Sequence, residues 1–160
     1  MASEHLIGLI SDTHGLLRPD VHDALAGVEL ILHAGDVGGE DILHELRTIA
    51  PTFAVRGNTD EPAPWLEAEI VREIGGLTIH VSHGHEVGRL TPERLLARYT
   101  QDILVYGHTH KPLVLQWEGR TVVNPGAAGQ RRFDLMPSVA RLRIAAGAAQ
   151  VEFVELGGSD

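Results

Sequence analysis

The amino-acid sequence predicts an α/β domain in which two sheets pack face to face with helices outside them. Three observations carry the prediction. Short apolar runs alternate with segments of helical periodicity as far as Val55, which implies parallel strands joined by right-handed crossovers. Beyond the proline-rich loop at Pro62 and Pro64, apolar runs are instead separated by tight glycine turns, which implies antiparallel pairs. A chain of 160 residues also buries roughly 70% of the surface it exposes when unfolded, enough for one core without covalent staples.

Taken in order, residues 6–10 form an apolar run and predict a buried strand. Arg18-Pro19-Asp20, followed by Val21, Leu25 and Val28, predicts a helix with proline in its first turn. Residues 28–33 repeat the strand pattern. Ile42, Leu43, Leu46 and Ile49 fall at helical spacing within 40–50, and 52–55 is a third short strand. Residues 69–74 and 77–82, joined by Gly75-Gly76, predict a hairpin, and Thr91-Pro92-Glu93 opens a helix reaching to about Tyr99. A strand over 103–106 follows. The runs 113–117, 121–123, 138–144 and 150–156 are divided by Glu118-Gly119, a glycine-rich loop and Ala146-Gly147, an antiparallel pattern. One domain over 1–160 is expected, with 157–160 a flexible tail.

Composition narrows the function. No cysteine is present, so thiolate ligands, a cysteine nucleophile and disulfides are excluded, and a cytoplasmic setting is expected. The apolar run near the N-terminus is too short for a secretion signal or a membrane span, so no membrane partner is expected. A net charge of −9 argues against a long nucleic acid as partner, while leaving room for a small phosphate ester and for a homo-oligomer. The one adjacent basic pair, Arg131-Arg132, is expected on the solvated surface.

The residues that carry chemistry recur directly after predicted strands, where ligand sites of α/β sheets form. Asp12 and His14 follow the first strand, Asp36 the second, Asn58 the third, His83 the hairpin, and His108 with His110 the strand over 103–106. In extended chain, residues two apart share a side, so each of the pairs Asp12/His14 and His108/His110 can present two ligands to one centre. Gly35, Gly57, Gly84 and Gly107 stand beside these residues and permit close backbone approach. Singly, Asp-Thr-His or Gly-Asn is an ordinary turn sequence, because Asp, Asn and Gly populate turns. Ordered together at five strand ends, they predict a metal centre. Its oxygen and imidazole donors suit manganese, nickel, iron, cobalt or zinc rather than calcium. Seven such ligands exceed one tetrahedral ion and suit two divalent ions sharing a carboxylate.

The order Asp-x-His, Gly-Asn preceded by Gly-Asp, His-Gly and Gly-His-x-His resembles the calcineurin-like metallophosphoesterase family, in particular its small prokaryotic phosphodiesterases of the YfcE type. The resemblance runs from about residue 6 to 126 and includes Asn124-Pro125-Gly126. It implies a four-layer α/β/β/α sandwich of two mixed sheets. It further implies that Asp12, His14 and His110 hold one ion, that Asn58, His83 and His108 hold the other, and that Asp36 bridges them, with manganese the first choice of metal. Hydrolysis of a small or activated phosphodiester by a metal-bridging hydroxide is the activity implied, with Asp36 and Asn58 in the catalytic centre.

One departure bears on the reaction. Family members commonly carry Gly-Asn-His, and that histidine is a candidate phosphate contact or leaving-group acid, whereas this chain reads Gly57-Asn58-Thr59-Asp60. His85, two residues after His83, is a candidate substitute, or else an outer-shell or solvent-facing side chain. Asp60 is read as a cap of its turn. His33 is expected to pack beneath the site, and His5, His22, His44 and His80 to be structural or exposed. The rival expectations are a noncatalytic metal-binding scaffold for other proteins and a nuclease acting on short nucleic acid.

Overall fold

The computed structural model describes residues 3–132 and 134–157. Its elements are β1 (Glu4–Ile10), α1 (Val21–Ala24), β2 (Leu30–His33), α2 (Glu40–Leu46), β3 (Thr52–Ala54), β4 (Ile70–Ile74), β5 (Leu77–Val81), α3 (Pro92–Arg98), β6 (Ile103–Val105), β7 (Leu113–Trp117), β8 (Arg120–Asn124), β9 (Ser138–Ala145) and β10 (Ala148–Glu155), with a 3-10 turn at His85–Val87. They build two five-stranded sheets in the orders β10-β9-β1-β2-β3 and β4-β5-β6-β8-β7. Both are mixed. β1, β2 and β3 run parallel while β9 pairs antiparallel with β1, and β5, β6 and β8 run parallel between the antiparallel edges β4 and β7.

Side-chain alternation explains the layering. Ile7, Leu9, Leu30 and Leu32 point into a core shared with Ile79, Val81, Val105 and Val123 of the second sheet. The intervening Ile10 and Ile31 point the other way, onto Val21, Leu25, Ile42, Leu43 and Leu46 of the helical segments. β1 and β2 therefore read as unbroken apolar runs because they are covered on both faces. On the outer face of the second sheet, Leu95 of α3 covers Leu104, Tyr106 and Val122. Three apolar layers separate four structural ones, which is the α/β/β/α sandwich.

Helix ends differ from the periodic expectation. α1 is a single turn, because the chain reverses at Gly27 with φ of 84° instead of continuing to Val28. α2 stops at Leu46: Thr48 and Ile49 donate to carbonyls three residues back, and Pro51 disfavours helix at Ala50. The last hairpin does not extend the second sheet but returns to flank β1 in the first. All of the expected tail except Gly157 lies outside the described residues. No helix among the described residues is long and apolar enough to cross a membrane.

Candidate metal centre

The parallel strands of both sheets end at one edge, and the loops beyond them stay laced together. Asp12, His14 and Gly15 donate their amides to Gly35, Asp36 and Val37, continuing the β1-β2 pairing past the sheet. Between sheets, the His108 amide donates to Asp12 Oδ2 at 3.1 Å and the Gly129 amide to the Asp12 carbonyl at 3.3 Å. His14, Asp36, Asn58, His108 and His110 line one cleft, and Asp12 and His83 lie against its His14 and Asp36.

Their atoms lie at separations that suit a shared ion better than direct hydrogen bonds. Asp12 Oδ1 is 3.3 Å from His110 Nε2 and 3.6 Å from His14 Nε2. Asp36 Oδ2 is 3.2 Å from His83 Nε2 and 3.7 Å from His14 Nε2, so one carboxylate oxygen faces both imidazoles. Asp12 Oδ1, His14 Nε2 and His83 Nε2 are buried, yet none has a hydrogen-bond partner. Leaving such groups unsatisfied costs about 1–3 kcal/mol each, and a cation among them removes that cost. Donors on one octahedral ion with bonds of about 2.1 Å stand roughly 3 Å apart. Asp12, His14 and His110 form one group able to hold an ion, and Asp12, Asp36 and His83 another. Asn58 and His108 meet through Asn58 Oδ1 and His108 Nδ1 at 3.1 Å, beside His83, whose ring centroid is 5.1 Å from that of His108.

The backbone is held in a costly shape here. Among the described residues seven non-glycine positions have positive φ, and five of them are Asp12, His14, Asp36, His108 and His110. The other two, Glu118 and Ala146, each precede a glycine in a hairpin turn. Residues in such regions cost about 1–3 kcal/mol each and persist where the surroundings impose them. Close approach explains two of the neighbouring glycines: a Cβ on Gly57 would stand 2.1 Å from Asp36 Oδ1, and one on Gly107 2.1 Å from Ser11 Oγ.

Electrostatics favour bound cations. Burial raises the Asp12 carboxyl, but His110 and His14 outweigh it and hold the group well below the usual carboxylate range. Asp36 balances burial against His83 and the Thr59 amide and falls to about 2. The His83 Nδ1–H donates to the Ala34 carbonyl at 2.8 Å, which fixes the tautomer and leaves Nε2 for a ligand. Beneath the site, His33 accepts from the Gly35 amide at Nδ1, and its Nε2–H donates to Thr13 Oγ1, which donates on to the Val37 carbonyl. Burial pushes this imidazole down to about 4, so it is neutral.

Three side chains brace the loops, Asp60 in the capping role expected of it. Asp60 accepts from the amides of Gly57, Val37 and Gly38, tying the Asp36 and Asn58 loops together as a cap rather than standing free as an acid. Asn124 donates to the Gly107 carbonyl and to Thr109 Oγ1 and accepts from the Gly126 amide, pinning the His108-His110 loop. Ser11 donates to Asp12 Oδ2 at 2.6 Å. The signal for Asn124 was the Asn-Pro-Gly segment; Ser11 had none. His85 sits in the 3-10 turn with its ring 5.4 Å from His83, outside the ligand groups. Arg132, though exposed, lines the cleft of about 420 Å3 over the site, together with Thr59 and Lys111, the only lysine in the chain. The exposure of Arg132 agrees with the expected solvated surface, and its place in the cleft wall is an addition to it.

The sequence profile of the calcineurin-like phosphoesterase superfamily domain matches residues 6–147. The chain belongs to that superfamily. A probable metallophosphoesterase of Methanothermobacter thermautotrophicus is 38% identical over 95% of this chain and 93% of its own length. A phosphodiesterase of Methanocaldococcus jannaschii is 30% identical over 75% of this chain and 82% of its own. Among solved structures, Vps29 of Entamoeba histolytica complexed with zinc superposes with a TM-score of 0.76 at 28% identity, covering 95% of this chain and 99% of that one.

Proposed function

We propose that the chain is a phosphodiesterase that hydrolyses small or activated phosphodiesters at two divalent ions, manganese before nickel, iron, cobalt or zinc. The observation that carries this reading is the cluster of buried, partnerless donors on Asp12, His14 and His83. Asp12, His14 and His110 would hold one ion and Asn58, His83 and His108 the other, with Asp36 between them. When bound, such ions acidify water and offset the charge that develops on the oxygens of an in-line displacement at phosphorus.

The chain's own groups do the rest. Asp36 divides its oxygens, one toward the ligand cluster and one accepting the Thr59 amide at 2.9 Å, so the Asn58 loop is fixed relative to it. Lys111 and Arg132 bring positive charge to the rim of the cleft, where a phosphate would enter. No side chain of the Asn58 loop supplies a leaving-group proton: Thr59 is not an acid at neutral pH and the Asp60 carboxylate is committed to three amides. His85 is the remaining candidate donor.

General acid catalysis is typically worth 10²–10⁴-fold, so its absence should fall hardest on poor leaving groups. Manganese-loaded protein is expected to hydrolyse bis(p-nitrophenyl) phosphate, and an Asp36→Asn variant to lose that activity. Across aryl and alkyl diesters the rate should fall steeply as leaving-group pKa rises. Metal binding without turnover on any phosphate ester would favour a protein-interaction scaffold, a reading to which the exposed Val114 and Trp117 of edge strand β7 lend support.

A further inference from the structure

A second cavity, of about 600 Å3, shares two segments with the metal centre: Arg56, two residues before Asn58, and His85, two residues after His83, both line it. The remaining wall includes Ala63, Leu66, Arg98 and Tyr99. Its volume lies within the range of small-molecule sites, about 300–1,000 Å3.

The wall is rigid on one side. The Tyr99 hydroxyl donates to Glu86 Oε2 at 2.7 Å, and its ring stacks on that of His80 with centroids 3.9 Å apart. His80 is buried and is held by Glu69 Oε2 at 2.6 Å. The Arg98 guanidinium stands 5.5 Å from the Tyr99 ring centroid. Neither Arg56 nor Arg98 has a carboxylate partner among the described residues. His85 Nδ1 is buried without a hydrogen-bond partner, 3.9 Å from Oε1 of Glu86, which also lines the cavity. Guanidinium planes stack on aromatic faces, and apolar side chains such as Ala63 and Leu66 cover ring surface.

We propose that this cavity receives a planar aromatic group carried by the phosphate, so that the preferred substrates are nucleoside or aryl phosphodiesters. The proposal rests on the phosphodiesterase reading above and adds to it the class of alcohol. A flat ring places its faces against the two guanidiniums and its edge toward His85, while its phosphate reaches the centre through the shared segments.

Monoester products test this without turnover, since each carries a single organic group. Calorimetric titrations of manganese-loaded protein with methyl phosphate, phenyl phosphate and thymidine 5′-monophosphate, at roughly pH 8 where all three are dianions, compare the groups directly. Phenyl phosphate or thymidine 5′-monophosphate is expected to bind roughly tenfold or more tightly than methyl phosphate. Whichever does so identifies an aryl ring or a nucleobase as the preferred group. Arg56→Ala and Ala63→Trp should each erase the difference, and Arg56 is exposed, so its variant reports even if Ala63→Trp fails to fold. Equal binding of all three esters, or no binding of any, overturns the cavity proposal. Hydrolysis of bis(p-nitrophenyl) phosphate in the same preparation would show that the phosphodiesterase reading survives it.

Discussion

His110 holds its imidazole 3.3 Å from Asp12 Oδ1 at a φ of 66°, a backbone conformation that its own Cβ disfavours. Glycine normally destabilises relative to alanine because it has more entropy to lose, but at positive φ the order reverses. His110→Gly is therefore expected to make the metal-free protein about 1 kcal/mol more stable than His110→Ala does, as read from urea unfolding. The opposite order would remove the argument that the ligand loop is held under strain. At this scale the sequence was most informative where chemistry dictates residue type. Asp12, His14, Asp36, His83, His108 and His110 stood out as candidates because carboxylates and imidazoles recur directly after predicted strands. Asp60 was legible as a cap of its turn and His33 as a residue beneath the site, but their partners in other loops were not. Their work is done on the backbone amides of Gly57, Val37, Gly38 and Gly35, whose positions depend on how distant loops meet.

The elements place those residues by letting parallel strands end together, and the loops then need bracing of their own. Asn124, at the end of β8, is fully buried and makes three hydrogen bonds that hold the His108-His110 loop and the turn at Gly126. Removing it strands buried partners at about 1–3 kcal/mol each. Asn124→Ala is thus expected to lower stability by about 3 kcal/mol and the melting temperature by roughly 5–10 °C, with metal affinity falling roughly 10–100-fold as well. A normal melting temperature would assign those bonds no role. Strand positions were readable from alternation and from glycine turns such as Gly75-Gly76, because a covered sheet face demands apolar residues at fixed period. The return of β9 and β10 to β1 was not readable, since pairing partners are chosen by the free edge of β1 and not by the pattern of the hairpin itself. Nor was the end of α1, where Gly27 overrides a helical spacing that continues to Val28.

At the scale of the whole molecule, stability and function are linked through protons and metal. His33 is neutral and buried, with its pKa pushed down to about 4 by desolvation. In the unfolded chain the same ring protonates near 6.5. Between those values the unfolded state binds more protons than the native one, so stability present above about pH 6.5 is lost as pH falls toward 4. The loss amounts to about 3 kcal/mol, and urea unfolding of wild type and His33→Asn as a function of pH should show it in the wild type alone. Metal binding adds a second dependence of the same sign, because ligand imidazoles must be neutral; affinity at limiting metal should weaken below about pH 6. The most direct test of the central claim is the initial rate of bis(p-nitrophenyl) phosphate hydrolysis as manganese is titrated into metal-free protein. A rate that climbs to a plateau at two equivalents per chain is the expected result. A plateau at one equivalent, or no hydrolysis at saturating metal, would contradict a dinuclear phosphodiesterase.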